Sequence, residues 1–223
     1  MSTKITEYIN NKQTHDISNI LHGIDVNIID ELVNNINVKN AFSSLTLLIP
    51  KKFFKNIDII YIGKFDILKK RNLDALYLDG AIYLSNNQKN ESDLMGNIVH
   101  EVAHNIISLT NGQVFKINNL ESEFIEKRKA VYNRLKAQKK PVNLQNFLNP
   151  YFDQTFDDYL FKEIGYDLLN ILSYDVVISP YSLTSIEEYF ATGFDYYFLK
   201  DRKFLAKKCP ELLDLITVLG EEF

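Results

Sequence analysis

Residues 75–84 read Ala-Leu-Tyr-Leu-Asp-Gly-Ala-Ile-Tyr-Leu, and this stretch leaves the chain little conformational freedom. Asp79-Gly80 tolerates the positive φ angles that a two-residue type I′ turn demands, so the apolar runs on either side are expected to fold back as an antiparallel hairpin. The polar run Ser85–Asn90 follows. From Leu94 to Leu109 the apolar residues recur at helical spacing, with Leu94, Ile98, Val102 and Ile106 on one side. Ser92 is the expected N-cap, and Asp93 suits the first turn. The hairpin is thus followed, after a short polar link, by a long helix.

Other segments are read around that pair of elements. Residues 16–35 place Ile17, Ile20, Leu21, Val26, Ile28, Ile29, Leu32 and Val33 at helical spacing. Residues 45–50 form a short apolar run that fits no period. Ile57–Ile62 is β-branched and aromatic, which predicts a strand. Residues 111–118 read as loop, and Leu120–Gln138 as a charged helix closed before Pro141. Asp157–Leu172 carries one continuous helical stripe. Val176–Ile178 is short and apolar. Ser185–Leu199 is an aromatic-rich helix, and Phe204–Leu219 a helix interrupted by Pro210. The fold class is therefore α+β, with a small sheet in the first half and a mostly helical second half. At 223 residues a single domain, 1–223, is expected: sheet and central helix in 57–110, a helical insertion in 111–175, and further helices in 176–223.

The central helix carries His100-Glu101-Val102-Ala103-His104. Residues four apart share a helix face, so both imidazoles can bind one metal ion. Zinc suits nitrogen ligands, and a catalytic site keeps one position for water. Glu101, beside the pair, is placed to accept a proton from that water. The bland alternative is two core or surface histidines on a helix.

The remaining histidines, His15 and His22, both precede the motif. The third ligand is then a downstream carboxylate. Candidates are Glu121, Glu123, Glu126, Asp157, Asp158, Glu163, Asp167, Glu187 and Glu188. Glu187 and Glu188 open the aromatic helix with Ile186, Tyr189, Phe190, Phe194 and Tyr197. An acidic pair at the edge of so apolar a helix needs a reason, and a metal supplies one. The competing reason is the helix macrodipole, which favours carboxylates in a first turn. Periodicity leaves the choice open: Glu187 lies nearer the apolar stripe, while Glu188 shares a polar face with Thr192 and Asp195.

Composition excludes some partners. The formal net charge of −4 and pI near 5.6 give no electrostatic footprint for nucleic acid. Lys51-Lys52, Lys69-Lys70-Arg71 and Lys207-Lys208 are scattered surface charges. One cysteine, Cys209, makes no internal disulfide and no thiolate cluster. The segment Met1–Glu7 lacks the apolar core of a signal peptide, and no run is long enough for a membrane span. The expected location is cytoplasmic.

Ile98-Val99-His100-Glu101-Val102-Ala103-His104, taken with Tyr181 and Glu188-Tyr189-Phe190-Ala191, resembles the anthrax lethal factor-like zinc metallopeptidases, the group that includes the Pro-Pro endopeptidases. The likeness covers roughly residues 57–110 and 176–215. It implies a zincin-like fold with the active-site helix packed on a small twisted sheet. It implies Zn²⁺ held by His100, His104 and Glu188, with Glu101 as general base. A tyrosine seven residues before the third ligand donates a hydrogen bond to the tetrahedral intermediate in that family, and here that offset falls on Tyr181. Two features depart from the pattern. Thr192 stands where the family often has a second acidic residue, and residues 111–175 are longer and more helical. Nothing identifies a pocket for proline, so Pro-Pro specificity is not carried over.

The expected activity is hydrolysis of a peptide bond in a peptide or protein substrate. Ala81, Ile82, Tyr83 and Leu84 are the expected substrate edge, pairing with an extended peptide as an added strand. The alternative is a catalytically idle, peptidase-like binding or regulatory protein. A purely structural zinc site would want four protein ligands, and the sequence offers no convincing fourth.

Overall fold

The computed structural model describes residues 2–10, 12 and 15–222; Met1, where the N-terminal segment read above begins, lies outside them. The chain divides into two compact units, Met1–Ile106 and Ile107–Phe223. It is α+β, with a five-stranded mixed sheet in the first unit.

The first unit runs α1 (Ser2–Asn10), β1 (His15–Leu21), β2 (Ile24–Ile28), α2 (Val38–Leu48), β3 (Ile59–Gly63), α3 (Asp66–Arg71), β4 (Ala75–Leu78), β5 (Ala81–Ser85) and then α4 (Glu91–Leu109). The strand order is β1-β2-β3-β5-β4. β2, β3 and β5 are parallel neighbours, while β1 and β4 add antiparallel edges. Ile60 pairs with Ile82 and Ile62 with Leu84, and all four are fully buried. Period-2 alternation turns Tyr61 and Tyr83 to the other face, where their rings stack at 5.5 Å. That face is covered by Phe65 and Leu68, with Ile5, Tyr8 and Ile9 of α1 packed against them.

The Asp79-Gly80 hairpin forms as expected, with φ of 50° and 81°. The helix expected over residues 16–35 does not form. His22 and Gly23 both take positive φ, 55° and 92°, and Leu21 pairs with Ile24, so the segment is a second two-residue hairpin. In β2 the alternation is plain: Ile24 and Val26 are buried while Asp25 is exposed. The unassigned run at 45–50 is the last turn of α2 up to Leu48, followed by its C-cap Ile49 and by Pro50.

α4 buries Leu94, Ile98, Val99, Val102, Ala103 and Ile106. Its cap lies earlier than Ser92: the Asn90 side chain accepts from the Asp93 N–H at 2.9 Å. The buried Asn105 donates to the Phe53 and Lys55 carbonyls, which holds the helix against the loop preceding β3.

Among its described residues the second unit is helical. It contains α5 (Leu120–Ala137), α6 (Leu144–Leu148), α7 (Gln154–Asp158), α8 (Tyr166–Ser173), α9 (Ile186–Leu199), α10 (Arg202–Lys208) and α11 (Pro210–Glu222). The expected single helix over 157–172 is broken. Between α7 and α8 the chain makes a π-helical turn, Tyr159–Ile164. It stops at Gly165, whose φ of 80° and ψ of 140° are closed to L side chains. Arg128 of α5 is wholly buried. Its guanidinium lies over Phe156 at 4.3 Å and donates to the carbonyls of Asn146 and Asn149. Gly193 of α9 admits the Leu212 side chain so closely that a Cβ there would stand 2.2 Å from its Cδ2. Cys209 is buried, and burial pushes its thiol up to about 11, so it is protonated and chemically quiet.

Candidate metal centre

The α-helical rise puts His100 and His104 one turn apart on the same face of α4. Their Nε2 atoms are 3.2 Å apart. Two nitrogens bound to one tetrahedral zinc at ordinary bond lengths are about 3.3 Å apart, so the pair already has the spacing that a shared ion sets. His100, His104 and Glu188 each offer one ligand atom, and these atoms all lie within 4.8 Å of one another. The donor set is two imidazoles and a carboxylate, which can hold a metal ion and leaves a coordination position for a non-protein ligand.

Of the acidic pair left open by periodicity, it is Glu188 that joins the histidines. The reason lies in how α9 starts. Ser185 is the N-cap, and its side chain accepts from the Glu188 N–H at 3.2 Å. Just upstream, Pro180–Leu183 forms a 3₁₀ turn. The Ser182 hydroxyl donates to the Ser179 carbonyl at 2.6 Å, and the Thr184 hydroxyl to the Tyr181 carbonyl at 2.9 Å. Ser182, Thr184 and Ser185 are all buried. These local bonds hold Tyr181 and Glu188 at a fixed separation. Glu187 instead buries Oε2 without a hydrogen-bond partner among the described residues.

Tyr181 is 39 % exposed as a residue, but its hydroxyl end is desolvated. Burial raises its phenol far above the usual tyrosine range, with Glu188, Tyr166 and Asp157 adding to the rise. Tyr166 is pushed up to about 12 by burial, then by Asp157 and Glu188. Both phenols therefore stay protonated and able to donate at any physiological pH. Asp157 is itself raised, by burial first and then by Asp158 and Glu188. Asp157 thus sits in the electrostatic neighbourhood of Glu188, although it is not among the three grouped ligands.

Glu101 is buried. Its Oε2 accepts from the backbone N–H of Tyr77 at 2.6 Å. Tyr77 lies on β4, the edge strand, whose other side pairs with β5. Because ladder bonds alternate in an antiparallel pair, a Tyr77 N–H spent on Glu101 points away from β5 and marks the open edge. No sequence signal foretold this contact, since a main-chain donor has no side-chain signature.

The expected substrate edge, Ala81, Ile82, Tyr83 and Leu84, is corrected by the topology. β5 is an inner strand: Ala81–Ser85 pairs with Ile59–Gly63 on one side, and Ala81–Leu84 with Ala75–Leu78 on the other. With both ladders filled, it has no main-chain groups left to take an added strand. The open edge on this side of the sheet belongs to β4. Of the upstream histidines, the His22 ring lies 2.7 Å from the Ile49 carbonyl, where a ring N–H can donate to it.

No family model, no curated protein and no solved structure matches this chain. Among the described residues no helix is long and apolar enough to cross a membrane.

Proposed function

We propose that the chain is a zinc-dependent endopeptidase with His100, His104 and Glu188 as metal ligands. The observation that carries the reading is this three-residue donor group, two of whose members lie on α4 with a glutamate between them that is buried and oriented by a backbone N–H. A zinc ion held there would supply Lewis acidity, activating water and polarising the substrate carbonyl.

The chain's own residues do the rest. Glu101 takes the proton of the attacking water and returns it to the leaving amine as the C–N bond breaks. The Tyr77 N–H fixes one carboxylate oxygen, so the other is aimed without an entropic search. Tyr181, held protonated by its surroundings, donates to the oxyanion that forms on the attacked carbonyl. An extended peptide finds main-chain partners on the part of the open β4 edge that Glu101 leaves uncovered, since the Tyr77 N–H is already donated to that carboxylate. The likeness of His100–His104, Tyr181 and Glu188–Ala191 to the lethal factor-like metallopeptidases favours the same assignment.

The test is a peptide-library digest with zinc-loaded protein of verified metal content, run beside Glu101→Gln. Cleavage by the wild type and none by the variant is expected. Zinc-loaded protein that leaves every peptide intact would remove the peptidase reading and leave a binding role.

A further inference from the structure

Three rings form a row in the second unit. Tyr181 meets Tyr166 edge to face with centroids 6.4 Å apart, and Tyr166 meets Phe161 at 5.6 Å. The two ends of the row are open to solvent: Phe161 is 55 % exposed and Tyr181 39 %. Single exposed rings are ordinary, but rings in contact with one another form an apolar patch of the kind that marks a binding surface.

The backbone under the row is unusual. Phe161 sits in the π-helical turn Tyr159–Ile164, and Tyr166 opens the next helix directly after Gly165. A continuous α-helix would set residues 161 and 166 about 140° apart around its axis. The π-turn and the glycine break that register, and the two rings come together. π-Helical turns recur where a chain distorts a helix for function. The same stretch carries Asp157, Asp158, Lys162 and Glu163, and Lys162 pairs with Asp158 at 3.0 Å. Asp157 and Glu188 are near enough to Tyr166 and Tyr181 to raise both phenols.

We infer that Phe161 and Tyr166 form a specificity ledge, continuous with Tyr181, that receives an aromatic side chain of the substrate residue flanking the scissile bond. This rests on the peptidase reading, in which Tyr181 addresses the reacting carbonyl. A residue next to that carbonyl then carries its side chain along the row. An incoming ring makes the edge-to-face contacts that the three rings already make with one another. A carboxylate at the same substrate position is disfavoured by the apolar ring faces and by Asp157, which lies in the electrostatic neighbourhood of Tyr166.

The test uses matched peptides with Phe, Ala or Glu at each position flanking the cleaved bond, taken from the library digest. The zinc-loaded wild type should prefer Phe over Ala at one such position, and Ala over Glu. Phe161→Ala and Tyr166→Ala should each lower the Phe:Ala ratio of kcat/KM by about three- to tenfold, and Tyr166→Phe should keep it. The same ratio in Kd, measured by fluorescence anisotropy on Glu101→Gln carrying each substitution, should move in parallel. Unchanged melting temperatures for Phe161→Ala, an exposed site, separate lost recognition from lost fold. If peptides are cut but Phe161→Ala and Tyr166→Ala leave the ratio unchanged, the ledge is refuted and the peptidase reading stands. If zinc-loaded wild type cuts nothing, the peptidase reading falls and the ledge with it.

Discussion

Replacing Glu101 separates the hydrogen bond it accepts in the structure from the proton transfer proposed for it. Its Oε2 accepts from the Tyr77 N–H at 2.6 Å, and in the proposed reaction the group also accepts a proton. Glu101→Gln keeps the volume and a carbonyl acceptor for Tyr77. A hydrogen bond to a charged acceptor is worth about 1.5–3 kcal/mol, and a neutral one about 0.5–1.5. The exchange therefore loses about 1 kcal/mol, and relief of the buried charge offsets part of that. Net stability should change by less than about 1 kcal/mol. Glu101→Ala removes the acceptor and strands the Tyr77 N–H, which costs about 1–3 kcal/mol. Turnover should fall in both variants by about 10²–10⁴-fold, the usual contribution of a positioned base. Urea unfolding, zinc content and kcat on one cleaved peptide, measured on all three proteins, give the comparison. A Gln variant that turns over like wild type would show that Glu101 is not the base. An Ala variant as stable as the Gln variant would show that the Tyr77 contact does not contribute to the fold.

Other outcomes follow from the same geometry. His100→Ala and His104→Ala should each abolish stoichiometric zinc binding, and in a chelator competition Glu188→Gln should weaken it far more than Glu187→Gln; the reverse order of the glutamates would reassign the ligand. Tyr181→Phe should keep zinc and fold while slowing single-turnover cleavage by about 10²–10³-fold, and an unchanged rate would make Tyr181 a packing residue. Gly193→Ala should destabilise by about 1–2 kcal/mol, because overpacking against the buried Leu212 outweighs the gain in helix propensity; a higher melting temperature would contradict it. Asp175 is lowered to about 2, chiefly by its hydrogen bonds from Arg134, so its contribution is full above about pH 4, the unfolded range, and fades as pH falls toward 2. Both side chains are well exposed, which keeps that contribution under about 1 kcal/mol. The stability difference between wild type and Asp175→Asn should shrink between pH 4 and 2, and a difference that grew would reverse the sign.

Local chemistry was the legible part of this sequence. Asp79-Gly80 announced its hairpin because those two residue types accept positive φ. His100 and His104 announced a shared face because the helical period is short-range. The β1–β2 hairpin was hidden by its turn: His22 is an uncommon residue at positive φ, and without a turn signal the apolar spacing of 16–35 fits a helix as well as two strands. The break at Gly165 was missed for a similar reason, since an isolated glycine does not by itself end a helical stripe. Strand order was beyond reach. β5 is flanked by β4, its sequence neighbour, and by β3, which reaches it only through a crossover. Which of two hairpin strands becomes the edge is settled by that long-range pairing. Glu188 over Glu187 depended on the Ser179–Ser185 turn, whose side-chain bonds to backbone fix the phase of α9.

The Tyr77–Glu101 bond also bears on how the protein behaves at high concentration. β4 is a short border strand with an outward-facing main-chain donor, the kind of feature through which sheets of separate molecules zip together. A carboxylate seated on that donor blocks a stretch of the border and sets an anion where a neighbouring chain's carbonyl would have to dock. Variants that empty the position, Glu101→Ala above all, should therefore be more prone to self-association than Glu101→Gln at equal folded fraction. The glutamate proposed as the proton acceptor is then also a guard on the solubility of the sheet.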